Sequence, residues 1–143
     1  MKSEGRNAVK LLCDTNILVS ANKFPNGVCM KAYKKALLSF SVVVCDYSIL
    51  ELRRVYKNKF PSDIGIFEKF LEDLTTQIAV IQTPPESESV PEEMLVRDAD
   101  DRPILRAAIN ANVDIIVTGD KDLLESNLAK PRIISPVEFV NHC

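Results

Sequence analysis

The chain predicts an α/β fold: one three-layer sandwich in which a mostly parallel sheet of about five strands is flanked by helices. Three observations predict it. Short strand-like runs alternate along the chain with segments of helical period, the order expected of a parallel sheet with crossover helices. The runs are apolar through their centres, as strands covered on both faces must be. The chain has 143 residues, 46% of them hydrophobic and 27% charged, which is enough to bury a core and ordinary for a globular domain.

Ala8–Cys13 reads as the first strand, with Asp14-Thr15-Asn16 as its exit, and Ile17-Leu18-Val19 continues into a helical turn. Pro25-Asn26-Gly27 makes a loop. The segment 28–40 has helical spacing, with Val28, Ala32, Tyr33, Ala36 and Leu37 on one face and Lys31, Lys34 and Lys35 turned to solvent. Ser41–Cys45 is β-branched at its centre and forms the second strand. Ser48 opens a helix to about Lys59, stopped by Pro61. Another helix covers 62–76, with Ile66, Phe67, Phe70, Leu71 and Leu74 as its inner stripe.

A third strand covers 78–82, and a loop rich in Pro and Glu follows over 83–93. Pro103 suits the first turn of a helix over 104–112, because its missing N–H has no partner there anyway. A fourth strand at 114–118, a short helix at 121–126, a fifth strand at 132–135 and a terminal helix from Pro136 complete the alternation.

Composition excludes several functions. A net charge of -2 argues against a broadly basic nucleic-acid coat, although it leaves room for an acidic pocket bridged to phosphate by metal. The four cysteines, Cys13, Cys29, Cys45 and Cys143, show no zinc-ligand spacing, and they read as reduced thiols of a cytosolic protein. Lys10 and Asp14 interrupt the apolar stretch behind Lys2 and Arg6, so no secretory or membrane-spanning segment is expected and the localisation is read as cytoplasmic. The single histidine, His142, makes histidine-based chemistry a poor fit. Carboxylates are left to carry any reaction.

Those carboxylates recur where strands end. Asp14 closes the first strand, Glu51 follows the second, Asp120 follows the fourth, and Asp98, Asp100 and Asp101 precede the helix that opens near Pro103. Each has a plain alternative as a helix cap, and Ser48-Ile49-Leu50-Glu51 matches a capping box. Together they are harder to dismiss. The carboxyl ends of parallel strands share one edge, and acids gathered there repel one another unless a hard cation lies between them.

The sequence Leu-Leu-Cys-Asp14-Thr15-Asn16, the Ser48-x-x-Glu51 pair, the run Arg97-Asp98-Ala-Asp100-Asp101-Arg-Pro-Ile-Leu and the run Ile-Val-Thr118-Gly119-Asp120-Lys-Asp122 resemble a PIN domain. The likeness is to the prokaryotic branch that includes VapC-type toxins of toxin–antitoxin pairs. It implies an N-terminal tail over 1–7 and a PIN-like nuclease domain over 8–143. It also implies a Mg²⁺- or Mn²⁺-dependent endoribonuclease using one or two ions, with RNA as substrate. Carried over position by position, Asp14, Glu51, Asp101 and Asp120 become the acidic catalytic and metal-binding cluster. Asn16, Ser48, Asp98, Thr118 and Asp122 become supporting polar residues, with Asp98 and Asp100 still open as alternatives to Asp101. A cognate antitoxin and a homodimer are the partners the likeness implies.

In such chemistry no acid needs a special pKa, since the metal itself generates hydroxide. Arg53, Arg54, Arg102 and Lys121 are the candidates for substrate contact, and Lys57 and Lys59 extend that basic helix. Tyr47 and Tyr56 read as packing residues. Two rivals stand beside the nuclease: a non-catalytic PIN-fold module that binds RNA or protein, and a receiver-like phosphotransfer domain. The second lacks a convincing lysine at a strand end.

Overall fold

The computed structural model describes residues 8–143, and it turns every expected apolar run into a strand. These are β1 (Lys10–Cys13), β2 (Ser41–Cys45), β3 (Ala79–Ile81), β4 (Ile115–Val117) and β5 (Arg132–Ile134). All neighbours pair in parallel, in the order β3-β2-β1-β4-β5. Register keeps the exits level: Cys13 lies opposite Val117, and Cys45 opposite Ile81. The expected tail over 1–7 lies outside the described residues.

Helices cover both faces. Alternation along the strands sends Leu11, Cys13, Val42, Val44, Ile115 and Val117 to one core and Leu12, Val43, Cys45 and Ile116 to the other. The first core is closed by α1 (Thr15–Lys23), α2 (Val28–Ser39), α3 (Asp46–Lys59), α4 (Ile64–Gln77) and α7 (Pro136–His142). The second is closed by α5 (Arg102–Asn110) and α6 (Lys121–Leu124), through Ile104, Leu105, Ala108 and Leu123. The three-layer α/β expectation therefore holds. No helix among the described residues is long and apolar enough to cross a membrane.

Several local expectations change. The turn after Asn16 is a nine-residue helix, α1. On α4 the buried stripe is Phe67, Leu71 and Leu74, while Ile66 is 64% exposed. Positions i, i+4 and i+7 define that face, and Ile66 is one residue off it. Val28, at the first turn of α2, is also largely exposed. Lys35 is not a plain surface charge: its Nζ donates to the carbonyls of Phe139 (3.0 Å) and Val140 (3.1 Å) at the end of α7. The unpaired carbonyls of a helix C-terminus attract a cation in this way.

The loop rich in Pro and Glu is also more ordered than a loop, since it folds into 3-10 turns at Glu86–Glu88 and Pro91–Leu95. It is pinned at two points. Asp46 Oδ1 accepts from the Thr83 amide (2.9 Å) and hydroxyl (2.7 Å). Arg106 forks onto buried Glu93 (Nε–Oε2 3.0 Å, Nη2–Oε1 2.8 Å) and donates to the Pro84 carbonyl (2.9 Å).

Candidate active site

β1 and β4 are neighbours, but the chain leaves them towards opposite faces, into α1 and α6 respectively. A crevice opens between two such exits, at the carboxyl edge of the sheet. Asp14 stands at the first exit. Its amide donates to the Val117 carbonyl (3.1 Å), extending the ladder by one residue. Its carboxylate is 3% exposed, accepting from the Thr15 amide through Oδ1 (2.6 Å) and from the Thr118 hydroxyl through Oδ2 (2.6 Å). Burial raises its pKa; the Thr118 and Thr15 bonds oppose the rise, and the charge of Asp120 adds to it.

Thr118 then organises the second exit, its hydroxyl accepting from the Asp120 amide (2.9 Å). Asp120 Oδ1 caps α6 through the amides of Asp122 (2.8 Å) and Leu123 (3.3 Å). Asn16 Oδ1 accepts from the Gly119 amide (3.3 Å), which ties the two exits together. Capping and clustering thus coexist at Asp14 and Asp120.

The capping box at Ser48 does not form. β2 passes directly into α3, with Cys45 at the N-cap, so Ser48 and Glu51 both lie inside the helix. Ser48 is fully buried, with its hydroxyl 3.3 Å from Cys45 Sγ and its carbonyl accepting from the Thr15 hydroxyl (3.4 Å). Glu51 is left to face the crevice. Its pKa is raised by burial, moderated by the Tyr47 hydroxyl and raised again by Asp14.

The third acid comes from a 3-10 turn, Ala99–Asp101, capped by Asp98 on the Asp100 amide (3.0 Å). Burial comes first, followed by Asp120, Asp14 and Asp98, in pushing Asp101 up to about 8. Among the described residues, Asp101 Oδ2 is the buried side-chain oxygen that has no hydrogen-bond partner. Asp98, Asp101 and Asp122 each offer an oxygen within 4.8 Å of the others. Asp122, a residue of that group, is also paired with Arg97. Asp101 therefore meets Asp98 and Asp122 at ligand distance, and shares a cavity wall with Asp14 and Glu51.

A cavity of about 470 Å³ opens beside Asp14 and Asp101, lined also by Asn16, Glu51, Arg54 and Lys59; Asp98, Asp120 and Asp122 are not among its lining residues. Of the basic candidates, Arg54 thus reaches the cavity. Arg53 does not: it pairs with Glu68 of α4 (3.6 Å) and lines a separate groove. Helical period explains the split, because Arg54, Asn58 and Lys59 lie at i+3, i+7 and i+8 from Glu51 and Arg53 at i+2. That spacing was the signal for Asn58 and Lys59. Arg102 Nε is committed to the Val96 carbonyl (3.0 Å). Tyr47 is more than packing, since its hydroxyl donates to the Asp100 carbonyl (2.7 Å).

A profile of the PIN domain family matches residues 10–122. The chain belongs to the PIN domain family. That span runs from the start of β1 to Asp122, so it contains every acid described above. Against curated protein sequences this PIN domain finds no significant match. Solved structures do resemble it in fold. VapBC2 from Rickettsia felis, solved bound to a DNA fragment from their promoter, superposes with a TM-score of 0.65 at 13% identity, over 88% of this chain and 97% of that one. PAE2754 from Pyrobaculum aerophilum gives 0.66 at 18% identity, over 96% and 92%. DNA-bound VapBC from Salmonella typhimurium gives 0.64 at 13% identity, over 90% and 98%.

Proposed function

We propose that this PIN domain is a divalent-metal-dependent endoribonuclease, with Asp14, Glu51, Asp101 and Asp120 as the acids that hold the ion. Asp98 and Asp122 stand ready to complete its shell or to serve a second ion. The observation that carries the reading is the unpartnered, buried Oδ2 of Asp101, set within ligand distance of Asp98 and Asp122. Burying such a group without a partner is costly, and a hard cation is the partner an all-carboxylate donor set suits. Mg²⁺ or Mn²⁺ fits these residues.

Bound there, such an ion would lower the pKa of a water and draw charge from the scissile phosphate. The chain's own residues supply the rest. Thr118 and the Thr15 amide fix the Asp14 carboxylate in one orientation, so its geometry is preorganised. Arg54 and Lys59 bring positive charge to the wall of an otherwise acidic cavity, where a phosphate strand needs it. We expect Arg54→Ala to raise KM for single-stranded RNA by about fivefold, as loss of one phosphate contact does, and Arg53→Ala to leave it unchanged. Equal effects in steady-state assays would remove Arg54 from the substrate path.

The likeness to VapBC complexes supports a cognate antitoxin as partner, and a homodimer belongs to the same reading. A non-catalytic RNA- or protein-binding module is the alternative. It has no use for a buried carboxylate oxygen left without a partner beside other acids, which costs stability without a cation.

The deciding experiment is incubation of the purified protein with single-stranded RNA, with Mn²⁺ or Mg²⁺ and then with EDTA. Cleavage that EDTA stops supports the nuclease; intact RNA from antitoxin-free protein under both metals would refute it. A thermal test accompanies it. Because Asp101 is raised to about 8, the folded chain holds a proton that the unfolded chain releases. The Asp101 contribution to metal-free stability is therefore complete below the ordinary carboxylate pKa and is lost as pH rises through about 8. Millimolar Mn²⁺ displaces that proton, so the metal-induced rise in melting temperature should grow between pH 6 and pH 8.5. A metal effect that is absent, or flat across that range, would count against the site.

A further inference from the structure

The short turn that carries Asp101 runs directly into α5 and receives one side-chain hydrogen bond from elsewhere in the fold. Within the turn, Asp98 caps the Asp100 amide and the Asp101 amide returns to the Asp98 carbonyl. Neither bond attaches it to the body of the protein. The turn continues directly into α5, whose Arg102 amide donates to the Ala99 carbonyl; among the described residues, the hydrogen bond that joins it to an element distant in sequence is the one from the Tyr47 hydroxyl to the Asp100 carbonyl, at 2.7 Å. Tyr47 sits in the first turn of α3, four residues before Glu51. The same ring belongs to the apolar packing around α5.

We infer that Tyr47 is a positioning residue, which latches the Asp101 turn to the Glu51 helix and so sets the spacing of the acids that receive the cation. The inference deepens the nuclease reading and rests on it. The hydroxyl is bonded one residue upstream of Asp101, at the Asp100 backbone carbonyl. Groups that orient metal ligands in this way typically change metal affinity by about 10- to 100-fold when removed.

The test is Tyr47→Phe in the full chain, titrated with Mn²⁺ by calorimetry beside the wild type. Phenylalanine keeps the ring in its packing, and water can replace the lost bond at the exposed Asp100 carbonyl. The metal-free melting temperature should therefore stay within about 2 °C of wild type, while the Mn²⁺ dissociation constant rises about tenfold or more. Excess Mn²⁺ should restore cleavage with KM for RNA unchanged. An unchanged Mn²⁺ affinity in Tyr47→Phe, beside a wild type that binds, would overturn the latch and leave the nuclease reading standing. Weaker binding accompanied by loss of the near-ultraviolet circular dichroism would overturn it too, by showing a merely structural role. A wild type that binds no Mn²⁺ would overturn both.

Discussion

Asp14→Asn and Asp101→Asn should each lower metal-dependent RNA cleavage by ~10³-fold or more, equivalent to about 4 kcal/mol of transition-state stabilisation. The substitutions are chosen to keep the fold. An asparagine at position 14 can still accept from the Thr15 amide, while its Nδ2 donates to the Thr118 hydroxyl, which already accepts from Asp120 and has a second lone pair. At position 101 the lost charge is one that the neighbouring acids disfavour. Both variants should therefore melt no lower than wild type in EDTA, and both should lose the stabilisation by Mn²⁺. Retained cleavage in either, with that thermal profile, would show that the reaction occurs elsewhere. Loss of activity together with loss of fold would not be the expected pattern, and circular dichroism separates the two.

Breaking the Glu93–Arg106 pair should have the largest effect on stability. The side chains of Arg106 and Glu93 are 8% and 3% exposed, so truncating one strands the other's charge in the interior. Such a loss costs about 3–5 kcal/mol, whereas replacing both partners by apolar residues of similar volume recovers much of it. Glu93→Ala and Arg106→Ala should each shift urea unfolding by that amount, and Glu93→Met with Arg106→Leu should lie closer to wild type. Single variants within ~1 kcal/mol of wild type would show that the pair is incidental.

The pH dependence has a definite sign. Burial alone would raise Glu93, but the Arg106 fork and the Val90 amide (2.7 Å) outweigh it and leave the carboxyl below its usual range. Its contribution is therefore complete above the ordinary glutamate pKa and is lost as pH falls through the lower folded value.

The two pairs of charges differ in how visible they were. The acids that end strands announce themselves, because a strand must be apolar and its exit polar, and the period of the chain marks where each strand stops. Glu93 and Arg106 carry no such mark: one lies in a loop of many acids, the other in a helix, thirteen residues apart. Similar blindness affected Arg53 and Arg54. Adjacent arginines look alike as composition, and the helical period that separates them matters only once Glu51 is known to face the crevice.

From the residues alone came the α/β alternation, the likeness to PIN domains and the recurrence of carboxylates at strand exits, because all three depend on local period and on order along the chain. The tertiary structure alone decided which oxygens meet. It put Asp101 beside Asp98 and Asp122, freed Glu51 from a cap by starting α3 early, and brought Tyr47 onto the Asp100 carbonyl. Distances between groups from different strands follow from sheet order and register, which no local pattern encodes.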